Sequence, residues 1–169
     1  EYLLALVEPE RVAAVTQYST EPGISNVASL TETIEIKIES VTSELVLSLN
    51  PDLVLVPTYV NPEVLEQLDD AGVNTYQLKD DASFAGILAG LEEVGALVGE
   101  EEKAAEIVAD IEDRMAALEE KAAEKTDKKR VLYWTQYNSS VTENTSIGEM
   151  ITLAGGINVV TEAGITGDE

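Results

Sequence analysis

Thr42-Ser43-Glu44-Leu45-Val46-Leu47-Ser48-Leu49-Asn50-Pro51-Asp52-Leu53-Val54-Leu55-Val56 decides the fold class. The first half has helical character, with Thr42 placed as the N-cap. Asn50-Pro51 stops the helix, because proline disfavours helical backbone in the residue before it. Leu53 to Val56 is apolar without alternation, the pattern of a parallel strand covered on both faces. Helix, stop and buried strand in that order place the chain in the α/β class.

The flanking sequence repeats the theme. Upstream, Tyr2 to Val7 reads as the end of a helix halted by Glu8-Pro9, and Val12 to Val15 as a short buried strand. Gln17 to Asn26 is loop, and Ile34, Ile36 and Ile38 alternate with Glu35 and Lys37 as in a half-buried strand. Downstream, Thr58 to Asn61 leaves the Leu53–Pro57 strand. Pro62 opens a helix through Asp69, Gly72 closes it, and Val73 to Leu78 resumes strand character. Strand and helix thus alternate, which predicts a parallel, doubly wound sheet.

The pattern then changes. Phe84, Ile87, Leu88, Leu91, Val94 and Val98 share one helical face, and Gly99 ends that helix. A second helix opens on Glu100, Glu101 and Glu102, acids favoured at the positive end of the helix dipole. Its narrow stripe is Ala104, Ile107, Val108, Ile111, Met115, Leu118 and Ala122, with Lys121, Lys125, Lys128 and Lys129 at the carboxyl end. Roughly 25 helical residues would span about 37 Å. Arg130 to Thr135 then starts a strand, Ser146 caps a helix through Ala154, Ile157 to Val160 forms a short return, and Gly164 to Glu169 is loop. The expected organisation is an N-terminal α/β lobe over 1–80, linking helices over 81–128, and the start of a C-terminal α/β lobe over 129–169.

Composition narrows the function. The 169 residues carry 33 acids and 10 bases, a net charge of −23. Nucleic acid is excluded as a partner for want of a basic face, and adsorption to anionic membrane is disfavoured for the same reason. The acid surplus serves solubility, adaptation to salt, or attraction of a cationic partner. There is no Cys and no His, which rules out disulfides and thiol or imidazole metal ligands. It also rules out Ser–His and Cys–His nucleophile pairs. No dinucleotide-type or P-loop glycine motif follows a strand, and Gly-Ile-Thr-Gly at 164–167 has neither the spacing nor the Lys. Paired carboxylates stay open, although no spacing selects a pair. Asn138-Ser139-Ser140 and Asn144-Thr145-Ser146 match the short glycosylation sequon. No cofactor is indicated.

What remains is a set of aromatics at strand carboxyl ends: Tyr18, Tyr59, Trp134 and Tyr137. Ligands of open α/β sheets bind beyond those ends, and aromatics with polar tips suit a ligand of mixed polarity. Ordinary packing at the sheet rim is the competing explanation.

These segments, in this order, resemble the periplasmic-type substrate-binding proteins of ABC importers, the helical-backbone kind that takes ferric siderophores, haem or cobalamin. The resemblance runs through Glu10 to Thr16, the loop Tyr18-Ser19-Thr20-Glu21-Pro22, Glu44 to Val56, Leu91 to Gly99, and Ser146 to Val160. It implies a Rossmann-like parallel-sheet lobe joined by a long backbone helix to a second α/β lobe, with a ligand cleft between them. It further implies binding without chemistry, an extracytoplasmic location in the periplasm or as a cell-surface lipoprotein, and delivery of a small-molecule metal chelate to a membrane permease. Glu44 looks like the acid that docks on permease arginines, although an acid in a first helical turn is stabilising in any case. Against the family pattern, the first strand and most of the second lobe are missing, so the second lobe is expected to be incomplete and the polypeptide a piece of something longer. Such a piece would expose sheet edges and apolar surface, favouring a homo-oligomer. The leading expectation is an iron–siderophore complex, with cobalamin or haem as the alternative. Arg11, Arg114 and Arg130, the only arginines, fall on no expected cleft loop, which weakens the siderophore expectation without removing it, since the missing lobe could supply arginines. The absence of His argues against receptors for bare zinc or manganese. Two other classes stay open: a doubly wound enzyme or cofactor lobe, and a cell-surface interaction module.

Overall fold

The computed structural model describes residues 1–79 and 82–165. The expected boundary at 80/81 and the expected loop at 166–169, with the end of Gly-Ile-Thr-Gly, lie outside the described residues. Two compact units emerge, Glu1–Asp80 with Glu93–Lys103, and Asp81–Glu92 with Ala104–Glu169.

In the first unit α1 (Tyr2–Leu6) stops ahead of Pro9, as expected, and a 3-10 turn occupies Pro9–Arg11. That turn takes up Val12, so strand β1 is Ala14–Thr16, shorter than the expected run from Val12. Two further 3-10 segments, Gln17–Thr20 and Ala28–Thr33, lead to β2 (Ile36–Ile38), which pairs with β1 in parallel. Helix α2 (Ser43–Leu49) starts where its signal predicts: the Thr42 hydroxyl accepts from the Leu45 amide at 3.3 Å. It ends on Asn50 at φ 46°, a left-handed conformation that Asn tolerates better than most residues.

Strand β3 (Val54–Val56) follows, and Val56 is buried. Helix α3 (Pro62–Asp70) is capped by Asn61, whose side chain accepts from the Glu63 amide, and Gly72 at φ 76° turns the chain back. Strand β4 (Thr75–Gln77) then pairs with β3 in parallel, Val56 opposite Gln77. Leu6, Leu68 and Val94 are almost fully buried and centre this unit's core. At its edge the Glu93 carboxylate accepts from both the Tyr76 hydroxyl and the Lys79 ammonium. The two donors hold Glu93 below the usual carboxylate range, Lys79 first and Tyr76 second. The same bonds raise Lys79 and Tyr76 above their ordinary values.

Helices α4 (Phe84–Val98) and α5 (Glu101–Ala123) meet at Gly99, which takes φ 74°. The 23 residues of α5 span about 35 Å at 1.5 Å each, close to the expected length. Both helices cross the division between units, with 93–98 and 101–103 in the first. Of the expected apolar stripe, Ala104, Val108 and Ala122 are buried, whereas Leu118 is 46% exposed.

In the second unit strand β5 is only Arg130–Val131, not Arg130 to Thr135. Its parallel partner β6 (Ile157–Asn158) offers two residues, so the ladder ends and 132–135 leave it as loop. Helix α6 (Ser146–Leu153) is capped by Thr145 and not by Ser146: the Thr145 hydroxyl accepts from the Gly148 amide at 3.1 Å. Gly148 is buried against the Thr142 carbonyl, which an added Cβ would strike. Glu149 on α6 accepts from the Phe84 amide at 2.6 Å, closing the N-terminus of α4. Helix α7 (Val159–Glu162) replaces the end of the expected return.

Gly148→Ala should lower stability by about 1–3 kcal/mol, since the obstructing atoms are backbone. Gly23→Ala, with open space around the new methyl, should change little. Urea midpoints of the two variants check this. The second prediction concerns pH. Glu93 is depressed from 4.5, so its contribution holds above that value and is lost as pH falls through the lower folded one. Lys79 and Tyr76 are raised from 10.5 and 10.0, so theirs holds below those values and is lost as pH climbs through the folded ones. Glu93→Gln should therefore be less stable than wild type at pH 7, with the gap narrowing in acid and in strong alkali. Denaturant midpoints across pH check it, and an unchanging gap would count against the cluster.

Candidate functional site

The four aromatics all sit on loops at strand carboxyl ends, as their spacing predicts. In the first unit Tyr18 lies in the 3-10 turn directly after β1 and is 70% exposed. Local hydroxyls tie that turn: Thr16 to Ser19 at 3.1 Å, and Thr20 donating to the Gln17 carbonyl at 2.8 Å. Tyr59 lies in the exit from β3 and is 87% exposed. Gln77, the last residue of β4, braces that exit by donating to the carbonyls of Pro57 and Thr58 at 3.4 and 3.2 Å. Tyr18 and Tyr59 follow different strand pairs.

In the second unit one loop carries both Trp134 (63% exposed) and Tyr137 (80%). The Asn138 amide donates to the Thr135 carbonyl at 3.1 Å and the Thr135 amide to the Ser139 carbonyl at 2.9 Å, with Asn138 at φ 58°. This is a tight turn followed by one left-handed residue. Asn158, the last residue of β6, donates to the Val141 carbonyl at 3.0 Å beyond it. All four side chains are exposed in this structure.

Each unit has a surface depression, of which only the first adjoins an aromatic-bearing turn. Beside the Tyr18 turn, Thr20, Ser25, Asn26, Ser29, Glu32 and Lys37 line a polar hollow of about 560 Å³, with the Lys37 ammonium donating to the Thr31 carbonyl at 2.5 Å. In the second unit Phe84, Ile111, Met115, Leu118, Met150 and Leu153 line an apolar groove of about 350 Å³. Glu44 stands exposed in the first turn of α2.

The electrostatics limit what could bind. Each arginine is paired with an acid: Arg11 with Glu100 at 2.6 Å, Arg114 with Asp110 at 3.4 Å, and Arg130 with Glu162 at 2.7 Å. No group of three or more acidic side chains among the described residues is arranged to hold a metal ion. No described helix is long and apolar enough to cross a membrane. Sequence reasoning missed Gln77, Thr135 and Ser139. For the last two a signal existed, since the polar run Asn138-Ser139-Ser140 marks a turn.

Comparison with known proteins gives the context. A family model described as "Periplasmic binding protein" matches residues 1–169. A cobalamin-binding protein of Halobacterium salinarum is 34% identical over 125 residues, covering 73% of this chain and 34% of that protein. An uncharacterised ABC transporter substrate-binding lipoprotein of Bacillus subtilis, YvrC, is 28% identical over 125 residues, covering 72% of this chain and 38% of that one. Among solved structures, the periplasmic heme-binding protein RhuT from Roseiflexus sp. RS-1, in apo form, superimposes with a TM-score of 0.72 at 28% identity, covering 98% of this chain and 64% of that chain. The match thus spans about a third of the curated relatives' length. Parallel strand pairs, the long helix and the full-length family match agree: the chain belongs to the periplasmic binding protein family, whose members here are solute-binding proteins and not enzymes.

Proposed function

We propose that this chain is part of the extracytoplasmic solute-binding component of an ABC importer, taking a metal chelate of the corrinoid or related tetrapyrrole type and delivering it to a membrane permease. The similarity to a cobalamin-binding protein carries the reading. The chemistry of the chain supports it. Exposed Tyr18, Tyr59, Trp134 and Tyr137 offer flat faces with polar tips to a broad conjugated ligand. A net charge of −23 and three acid-bound arginines disfavour an anionic ferric siderophore, the class that leads on sequence resemblance alone, and favour a near-neutral corrinoid. Residues 1–80 and 129–169 are the sheet-bearing lobes in this reading, and the helices of 81–128 link them. Glu44 is the permease-docking acid.

Titration with cyanocobalamin, haemin and a ferric hydroxamate siderophore, followed by calorimetry, tests the ligand. Saturable binding of cyanocobalamin is expected, weakened about tenfold, or about 1.4 kcal/mol, by Trp134→Ala. Preference for the siderophore would overturn the ligand class, and indifference to all three would overturn the receptor reading. For the docking acid, Glu44→Lys should leave cyanocobalamin affinity unchanged while cutting cobalamin uptake in cells. Equal loss of both, or of neither, would remove Glu44 from that role.

A further inference from the structure

We propose that Thr135 is the positioning residue of the second unit's aromatic pair: its hydroxyl holds residues 133–140 in one conformation, so that Trp134 and Tyr137 are in place before a ligand arrives. The inference rests on reading those two aromatics as ligand-binding residues. A threonine hydroxyl has one proton to donate and two lone pairs. Thr135 has a partner for each. Its oxygen accepts from the Tyr137 amide and from the Ser139 amide, both at 3.2 Å, and it lies 2.6 Å from the Ser139 hydroxyl. With both lone pairs engaged by amides, the proton goes to Ser139. The backbone of the same residue accepts from the Asn138 amide and donates to the Ser139 carbonyl, so one residue ties five groups of the loop. At the loop's base the Ser140 hydroxyl donates to the Tyr133 carbonyl at 2.7 Å.

Apart from the two backbone bonds of the turn and the Ser140–Tyr133 bond at its base, the Thr135 hydroxyl makes the hydrogen bonds given for this stretch. Residues 132–134 and 136–140 are exposed and Thr135 alone is half-buried, so packing does not order the loop. A loop ordered only on binding would forfeit affinity to the entropy of fixing two large side chains, whereas one ordered beforehand does not. The Tyr137 and Ser139 residues face solvent, so water can replace a lost hydroxyl and the global fold should tolerate the change.

Trp134 is the sole tryptophan of the chain, so its emission reports on this loop without a label. Time-resolved fluorescence anisotropy of the ligand-free chain is the test, comparing wild type, Thr135→Val and Thr135→Ser. The valine variant should show a fast-motion amplitude about twice that of wild type, with a nearly unchanged Tm, and the serine variant should restore the wild-type decay. Cyanocobalamin affinity should fall about three- to tenfold in the valine variant and recover in the serine one. Unchanged anisotropy in Thr135→Val, or its failure to fold, overturns the positioning role. If wild type binds no cyanocobalamin, the ligand reading fails, while the anisotropy still decides whether Thr135 orders the loop.

Discussion

Every strand pair among the described residues is parallel, and parallel strands cannot be joined by a hairpin. The chain must therefore cross over before it can pair, and α3 and α6 lie within two of those crossovers. The same constraint sends both strands of a pair out at one edge, so their exit loops emerge side by side. The two units use that adjacency in the same way. In β3–β4 the last residue of the second strand, Gln77, turns its amide back onto the exit of the first. In β5–β6 the last residue, Asn158, does so onto Val141, while its oxygen accepts from the Val160 amide to start α7. The exits of β3 and β5 are thus braced by the neighbouring strand, whereas the Tyr18 turn after β1 is tied by its own hydroxyls.

The acid surplus shapes the rest. Repulsion within a chain of charge −23 opposes compaction, and the positive charge available to offset it is scarce. That scarcity shows in where the bases go. Five pair with carboxylates, while Lys37, Lys103 and Lys125 bond to backbone carbonyls of Thr31, Leu6 and Ala154. Most of these pairs are exposed and individually worth ~1 kcal/mol or less. With its three arginines all paired to acids, the chain presents little positive charge to an anion.

How far the sequence could be read depended on the range of the interaction. The stretch from Thr42 to Val56 was legible because its signals are local: a hydroxyl cap, an Asn able to turn left-handed, a Pro, then an unbroken apolar run. Glycines 72, 99 and 155 all take positive φ where helices end, for the same reason. The Val131-Leu132-Tyr133-Trp134 run misled, because its length as a strand is set by a partner 27 residues away that offers only two residues. Thr145 and Ser146 are both good caps by chemistry, and only the geometry of the Gly148 amide separates them. Of the candidate site, the aromatics were visible by type and place. Their braces were not, since Gln77, Asn158 and Thr135 act through side-chain bonds to backbone that exist only once the loops are folded.

Holding aromatics outside the core has a cost. A large apolar side chain left in water forgoes about 1.5–3 kcal/mol of burial. The chain does this with Trp134 and three tyrosines, then adds hydrogen bonds around their loops instead of packing the side chains down. Packing would have ordered them equally well but hidden their faces. Side-chain-to-backbone bonds order the loops while leaving the rings accessible.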